Sequence, residues 1–250
     1  MEFRDAGHGY DVFGLHPPTL DKTLSFLRPI YDRYFSVRTS GVHNIPADGS
    51  VLVVANHSGV LPIDGFIAAM SVYFETGRFA RVIVDHFVPL WPLVGTLFSR
   101  LGAIGGSRGN LAHLLDNDAL VVVFPEGISG PGKDPADRYQ LQQWRVGHAE
   151  FAIRHRATVV PAAIIGAEEA WPIWKKVRSF GLLGAPYLPI PASLWPRKVP
   201  FHIVYGEPIE LHAGTEPEDA DDPRIVEAAA ERSRVAVQAL VDRHRPGGAP

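Results

Sequence analysis

Short apolar runs recur along the chain, and most of the segments between them are long enough for a helix. The runs lie at residues 51–54, 81–84, 120–124, 158–165 and 201–205. Each is rich in β-prone residues and is bounded by turn residues, which is typical of strands. Strands that alternate with helix-length segments indicate an α/β fold with a largely parallel sheet. We therefore predict an α/β protein whose central sheet is covered by helices.

The most continuous run, at 119–124, predicts a strand near the centre of this sheet. It contains no polar residue, as expected where helices cover both faces. Helical spacing of apolar residues predicts two amphipathic helices, one at 19–35 and one at 223–245. Pro17 and Pro18 provide a start signal for the first of them.

The length of the chain allows one large domain, because 250 residues can bury a sizeable core and no linker is visible. Hydrophobic residues make up 46% and charged residues 20%, as in globular proteins. We divide the domain into an N-terminal segment with its helix (1–40), a core (41–210), and a C-terminal helix with a disordered tail (211–250).

Composition and charge exclude several classes of protein. The chain has no cysteine, which rules out a disulfide framework, a thiolate zinc site and a cysteine nucleophile. A net charge of -3 creates no field that would collect nucleic acid. No signal peptide pattern is visible, and the most apolar stretch, 87–99, is shorter than the roughly 20 residues that span a bilayer. We expect a cytoplasmic location and no nucleic-acid partner; the oligomeric state is open.

A histidine and a carboxylate flank the loop after the first predicted strand. Asn56 and His57 follow the run at 51–54, and Asp64 lies in the first turn of a helix that should begin near Pro62. Ligands of open α/β folds bind at the carboxyl ends of strands. A histidine oriented by a carboxylate can accept a proton from an alcohol that attacks a carbonyl. The alternative is a histidine that only caps the loop, next to an ordinary helix-start acid.

A second group of candidates follows the central strand. Glu126 and Gly127 belong to a Phe-Pro-Glu-Gly sequence, and a glycine-rich segment leads on to Lys133. A carboxylate beside backbone amides and a lysine can hold a polar head group by hydrogen bonds. An ordinary Pro-Glu-Gly turn is the alternative.

Arg108 is the third candidate, because it lies in a glycine-rich turn at 102–110. An arginine there can pair through two hydrogen bonds with a phosphate or a carboxylate. A solvated surface arginine is the alternative.

Taken in order, these motifs resemble those of the glycerolipid acyltransferases, the lysophosphatidic acid acyltransferase-like proteins. The resemblance runs from about residue 41 to 208. Its blocks are Asn56-His57 with Asp64, the arginine block 102–108, the acceptor-binding block 124–127 and the Val-Pro pair at 160–161.

The resemblance implies a glycerol-3-phosphate acyltransferase-like fold and a role for each matched residue. His57 would deprotonate the acceptor hydroxyl, Asp64 would orient His57, and Arg108 and Glu126 would position the acceptor. Acyl-CoA or acyl carrier protein would be the co-substrate and a membrane lipid the acceptor. No metal and no bound cofactor are implied.

The sequence departs from the family pattern in two places. Six residues separate His57 from Asp64, where the common motif has four, so the loop must fold back for the two to meet. Asp85 or Glu126 are the alternatives to Asp64. Glycines precede Arg108 in place of the usual aromatic and β-branched run, and the His-x6-Asp form is more similar to the monoacylglycerol and diacylglycerol acyltransferase branch. The sequence therefore allows a neutral acceptor as well as a phosphate-bearing one.

Three other functions compete with acyl transfer. The sequence Gly-Gly-Ser-Arg-Gly at 105–109 fits a G-x-S-x-G nucleophile elbow, with Ser107 as an esterase nucleophile and His148, His155 or His202 as its base. The segment 127–133 fits the start of a phosphate-binding loop, but Asp134 stands where Ser or Thr would bind magnesium. A non-catalytic lipid-binding module is the third alternative.

A surface for peripheral membrane binding is predicted outside these blocks. Tryptophans, lysines and arginines cluster in the segments 170–178 and 195–198, a mixture typical of headgroup depth. The apolar segment 87–94 is a candidate wedge. Tryptophans that merely cover the sheet are the alternative.

Overall fold

The computed structural model describes residues 3–58, 63–85, 88, 93–131, 133–178 and 187–247. Its strands are β1 (Arg38–Ser40), β2 (Val51–Ala55), β3 (Ala80–Val84), β4 (Ala103–Gly105), β5 (Leu120–Val123), β6 (Thr158–Ile165), β7 (Ile173–Arg178), β8 (Tyr187–Pro191) and β9 (His202–Tyr205). Its α-helices are α1 (Pro17–Pro29), α2 (Ile63–Thr76), α3 (Val94–Arg100), α4 (Arg108–Leu115), α5 (Gly147–Arg154), α6 (Ala167–Ala170) and α7 (Pro223–His244).

The main sheet has seven strands in the order β1-β9-β6-β2-β5-β3-β4. The five strands from β6 to β4 are parallel to one another, whereas β9 pairs antiparallel with β6 and parallel with β1. β7 and β8 form a separate antiparallel hairpin. The predicted α/β fold with a largely parallel sheet is confirmed. β5, the strand predicted as central, lies beside β2, which occupies the middle position.

Alternate residues of the inner strands enter two separate hydrophobic layers. Leu52 and Val54 of β2 pack with α4, α5 and α7, while Val51 and Val53 face the other layer with α1 and α2. All of β2 is buried. Because helices cover both faces, the strand can be apolar at every position, which explains its unbroken hydrophobic run.

The first predicted helix changes its geometry at a proline. The α-helix ends at Pro29, and a π-helical turn from Ile30–Tyr34 continues it. Proline lacks the N–H that the regular helical ladder needs, and a widened turn is one way to accommodate that loss. The segment predicted as a helix is therefore helical from Pro17 to Tyr34, with a change from α to π geometry after Pro29.

Two predicted features, the apolar membrane wedge and the disordered tail, lie partly outside the described residues. These are the apolar segment 87–94, of which only 88, 93 and 94 are described, and the chain end at 246–250, which is described to 247. Among the described residues, no helix has the length and apolar content required to cross a bilayer.

The carboxyl ends of the parallel strands bring three sequence candidates and one further carboxylate to one edge of the sheet. His57 follows β2, Asp85 follows β3, and Glu126 follows β5. Glu168 lies on α6, directly after β6. Parallel strands all end on the same side, so four separate parts of the sequence meet there.

Candidate active site

Asn56 fixes the path of the chain as it leaves β2. The side chain is buried, and its Oδ1 accepts a hydrogen bond from the Ile164 N–H at 2.7 Å, while its Nδ2 donates to the Ile164 carbonyl at 3.0 Å. The two bonds connect the end of β2 to β6 after the regular strand pairing has ended. The residue that follows, His57, therefore starts from a rigid support.

His57 and Asp64 are in contact despite the six residues between them. His57 Nδ1 lies 2.6 Å from Asp64 Oδ2, and the imidazole stacks on Phe124 with 4.6 Å between ring centroids. A carboxylate can only accept, so Nδ1 carries the proton and Nε2 presents a lone pair. The loop thus folds back as the long spacing requires; residues 59–62 of that loop lie outside the described residues.

The Asp64 carboxylate is completely buried and accepts from two backbone amides as well. Ser58 N–H donates to Oδ2 at 2.9 Å, and Gly65 N–H donates to Oδ1 at 2.8 Å. Three donors compensate the burial of one charge, which would otherwise be costly. The position of Asp64 in the first turn of α2 adds the favourable end of the helix dipole.

Glu126 supports the backbone of the site through two hydrogen bonds. Its buried carboxylate accepts from the His57 N–H at 3.0 Å through Oε1 and from the Gln142 N–H at 2.9 Å through Oε2. Gly130 lies so close to the His57 carbonyl that a Cβ would meet it at 2.6 Å. Glu126 therefore supports the backbone of the site, and its predicted part in acceptor binding stays a prediction.

The carboxylates around His57 determine its protonation. Burial of the ring lowers the pKa of His57, but the charge and hydrogen bond of Asp64 and the charges of Glu126 and Asp85 outweigh it. The pKa of His57 is consequently raised above its ordinary value of 6.5. Asp64 is the hydrogen-bonded partner, while Asp85 acts on His57 only through its charge.

Arg145 is a site residue that no sequence motif indicated. Its backbone N–H donates to the Pro125 carbonyl at 3.0 Å, and its guanidinium lies 3.6 Å from Asp85. A Cβ on Gly127 would meet this guanidinium at 3.0 Å, and Gly127 has a φ of +53°. The positive φ favours glycine at this turn, and the arginine lies directly over it. In the sequence, Arg145 lies 18 residues after Gly127, and this separation is too large for a local motif to indicate their contact.

Arg108 lies on the same edge but is engaged elsewhere. It begins α4 after β4, three strand positions from β2, which corresponds to about 14 Å at the usual strand spacing. Both terminal nitrogens donate to the Glu150 carboxylate, one of them at 2.6 Å, and the side chain is 70% exposed. The hydrogen bond from Arg108 lowers the pKa of Glu150. The structure thus does not bring Arg108 together with His57.

Lys133 lines a polar cavity of about 70 Å³ between the ends of β2 and β6. Its Nζ lies 2.9 Å from Glu168 Oε1, and the side chain is only 6% exposed. The cavity also contains Ser58, the residue after His57, together with Arg138 and Asp134. Lys133 therefore lies next to the site, as a substrate-binding residue must. Its role in substrate binding stays a prediction.

Ser107 does not have the surroundings of a nucleophile. Its Oγ accepts from the Asn110 N–H at 3.1 Å and caps α4. The candidate histidines have other partners: His155 Nδ1 lies 2.7 Å from Asp116, and His202 lies 2.8 Å from Ser40. Burial lowers the pKa of His148 to about 4.

The phosphate-binding-loop alternative has no structural support in the residues described from 127 to 133. A strand-to-helix phosphate loop needs a helix whose N-terminus faces the ligand. Here Gly127–Ser129 form a single 3₁₀ turn, and Lys133 pairs with Glu168.

An apolar cavity of about 440 Å³ begins beside Asp64. One face of α2 forms its wall, through Ile63, Phe66, Ile67 and Met70, which are spaced as on a single helical stripe. The remaining lining comes from α1 and its π turn, from Phe35, from α3 and from Trp171. Its size falls within the range of about 300–1,000 Å³ that is usual for small-molecule sites.

Comparisons with known proteins point to one family. A family profile described as Acyltransferase matches residues 36–165. The chain is 36% identical to the uncharacterized protein ML2427 of Mycobacterium leprae over 91% of this chain and 65% of that protein. It is 28% identical to a human protein named DGAT1/2-independent enzyme synthesizing storage lipids, over 82% of this chain and 60% of that protein.

A solved structure shares the fold. The crystal structure of the 1-acyl-sn-glycerophosphate (LPA) acyltransferase PlsC from Thermotoga maritima matches with a TM-score of 0.56 and 19% identity. The match covers 88% of this chain and 79% of that one. The chain thus spans about two thirds or less of these two curated relatives, and most of the solved chain.

The electrostatics of the site make a prediction for the imidazole of His57. Its pKa, followed by NMR through the ring shifts, should lie above 6.5 in the unaltered protein. Asp64→Asn should lower it, because burial of the ring remains while the nearest negative charge is lost. Asp116→Asn, which alters the partner of His155, is the control and should leave His57 unchanged. A His57 pKa that does not respond to Asp64→Asn would show that the contact is absent in solution.

Proposed function

Because the chain belongs to the acyltransferase family, we propose that it moves a fatty acyl group from acyl-CoA or acyl carrier protein to a hydroxyl of a glycerolipid-type acceptor, with His57 as general base. Family and fold support an O-acyltransferase of glycerolipids. The observation that carries the finer proposal is the 2.6 Å contact between His57 Nδ1 and the buried Asp64. It leaves Nε2 as the one basic ring nitrogen.

The proposed reaction is a direct transfer. The acceptor hydroxyl gives its proton to His57 Nε2 as its oxygen forms a bond with the thioester carbonyl carbon. The tetrahedral intermediate collapses, the C–S bond breaks, and the departing thiolate takes the proton from the imidazolium. Asp64 stabilises this imidazolium while it exists and keeps the ring oriented. The transfer therefore needs no acyl-enzyme intermediate.

The apolar cavity supports a long hydrocarbon chain as the transferred group. Ile63, one residue before Asp64, lines it, so a chain in the cavity would have its carbonyl end near His57. Its described lining includes no charged residue. Ile30 and Val94 line the cavity and are also partly exposed, so that it reaches the surface of the protein.

A neutral acceptor fits the site better than a phosphate-bearing one. Arg108, the family's candidate for a phosphate, already has a bidentate partner in Glu150. A phosphate at Arg108 would have to displace that carboxylate, and the strand before Arg108 lies about 14 Å from β2 by strand spacing. The similarity to a relative named for storage-lipid synthesis agrees with this preference. The roles of Arg108 and Glu126 in acceptor positioning stay predictions.

An exposed surface of tryptophans and cations supports lipid as the source of the substrate. Trp174 of the β7–β8 hairpin is 73% exposed, and Trp195 in the following loop is 75% exposed. The Tyr34 hydroxyl donates to the Pro196 carbonyl, which holds this loop against the turn after α1. Lys175 is exposed beside Trp174. Exposed tryptophans next to cations are typical of proteins that bind at headgroup depth.

The first test of this proposal compares two variants in a transfer assay with labelled acyl-CoA and a panel of glycerolipid acceptors. His57→Ala should reduce kcat by about 10²–10⁴-fold, the usual cost of a lost general base. Ser107→Ala should leave kcat unchanged and lower stability by about 0.5–2 kcal/mol, because Ser107 caps a helix. An essential Ser107 with a dispensable His57 would instead establish the esterase.

The second test concerns the membrane. The protein should co-sediment with anionic liposomes, less so at high salt, because cations near the surface contribute about 1 kcal/mol each. The double variant Trp174→Ser/Trp195→Ser should bind about tenfold more weakly, as expected when apolar area no longer enters the lipid. Val235→Ser, which removes an exposed apolar side chain from α7, is the control. Absence of binding at low salt by the unaltered protein would remove this surface from the proposal.

A further inference from the structure

The polar cavity holds two buried groups whose hydrogen-bonding capacity is not used. Ser58 is 1% exposed, and its Oγ has no partner in the part of the chain that the structure describes. Lys133 has three N–H donors, and Glu168 can occupy only the one that points to it. Buried polar groups are normally satisfied, so an unfilled pair in one cavity indicates a polar occupant.

The charges around the cavity are balanced. Lys133 and Arg138 provide two cations, and Asp134 and Glu168 provide two anions. The Glu168 carboxylate lies 2.9 Å from Lys133 and 3.6 Å from Arg138, so it already neutralises much of their field. An anionic group that met Lys133 or Arg138 would therefore also meet the Glu168 carboxylate. An uncharged group that both donates and accepts hydrogen bonds meets no such conflict.

The position and size of the cavity suit part of a substrate rather than one water. Ser58 follows His57 directly, and Gly130, which also lines the cavity, lies against the His57 carbonyl, so the cavity lies beside the backbone of the candidate base. Its volume of about 70 Å³ exceeds the roughly 10–15 Å³ that a single water requires. A cavity with room for several water-sized groups can hold a short segment of a substrate that carries hydroxyl groups.

We propose that this cavity binds the uncharged, hydroxyl-rich head group of the acceptor, with Ser58 and Lys133 as donors and Glu168 as acceptor. The inference rests on the proposed acyl transfer and adds where the acceptor's head group binds and which side chains hold it. A hydroxyl held at Ser58 places its neighbour on the same carbon skeleton close to His57. The cavity then selects an acceptor with at least two hydroxyls over a simple long-chain alcohol.

Three long-chain acceptors with the same hydrocarbon test the proposal: a monoacylglycerol, a primary alcohol and lysophosphatidic acid. Ser58→Ala should raise the KM for monoacylglycerol roughly 3–10-fold, the value of a lost neutral hydrogen bond. The KM for the alcohol and for acyl-CoA should not change. Ser58→Ala should fold normally, because the hydroxyl that it removes has no protein partner among the described residues. Ser129→Ala, an exposed serine in the neighbouring loop, is the matched control.

The charged pair is tested with Lys133→Met/Glu168→Gln, in which both charges are removed so that neither is left buried alone. This double variant should also weaken monoacylglycerol use and spare the alcohol. If Ser58→Ala or this double variant lowered the use of monoacylglycerol and of the alcohol equally, the altered residues would only support the site around Asp64. That result would overturn the proposal. A preference for lysophosphatidic acid that depends on Lys133 would overturn the uncharged class.

Binding of the acceptor in the absence of an acyl donor separates this inference from the proposed function. Radiolabelled monoacylglycerol in detergent micelles should bind the unaltered protein 3–10-fold more tightly than Ser58→Ala. Equal affinity would overturn the cavity assignment even if transfer occurs. Absence of transfer to every acceptor, with the affinity difference intact, would overturn only the acyltransferase proposal.

Discussion

The buried carboxylate of Asp64 determines the geometry of the whole site. A fully buried charge must be surrounded by donors, and Asp64 has three: the His57 ring, the Ser58 amide and the Gly65 amide. These bonds connect the end of β2 with the start of α2. They therefore orient the base and also fix the two cavities, because Ser58 lines the polar one and Ile63 lines the apolar one. The head group and the acyl chain would approach His57 from these two cavities.

The sheet makes this arrangement rigid. Asn56 bonds β6, and Glu126 bonds both the His57 amide and the chain at Gln142. Each of these polar side chains is buried and has backbone partners, so each orders a segment that lies outside regular strand pairing. A general base must be held within a fraction of an ångström of its working position, and such support by backbone amides achieves that. The same carboxylates that provide support also raise the pKa of His57.

Patterns that depend on near neighbours were predictable from the sequence. The five apolar runs are strands because burial on two faces demands continuous hydrophobicity, and the helix at 223–245 follows its apolar stripe. His57 and Glu126 were identifiable because they follow strands, and Asp64 because it lies in the first turn of the next helix. Contacts between distant segments were not predictable: nothing local indicates that Arg108 pairs with Glu150 or that Arg145 covers Gly127. Glu168 was missed for the same reason, since its partner Lys133 is 35 residues earlier.

The central claim is direct transfer by His57 without a covalent intermediate, and intact-mass spectrometry after rapid quenching tests it most directly. The protein is mixed with acyl-CoA in the absence of acceptor and quenched within one turnover time. We expect an unmodified protein mass, because His57 only moves a proton and Ser107 is a helix cap. An acyl adduct that forms as fast as turnover, on Ser107 or on any other residue, would contradict this mechanism.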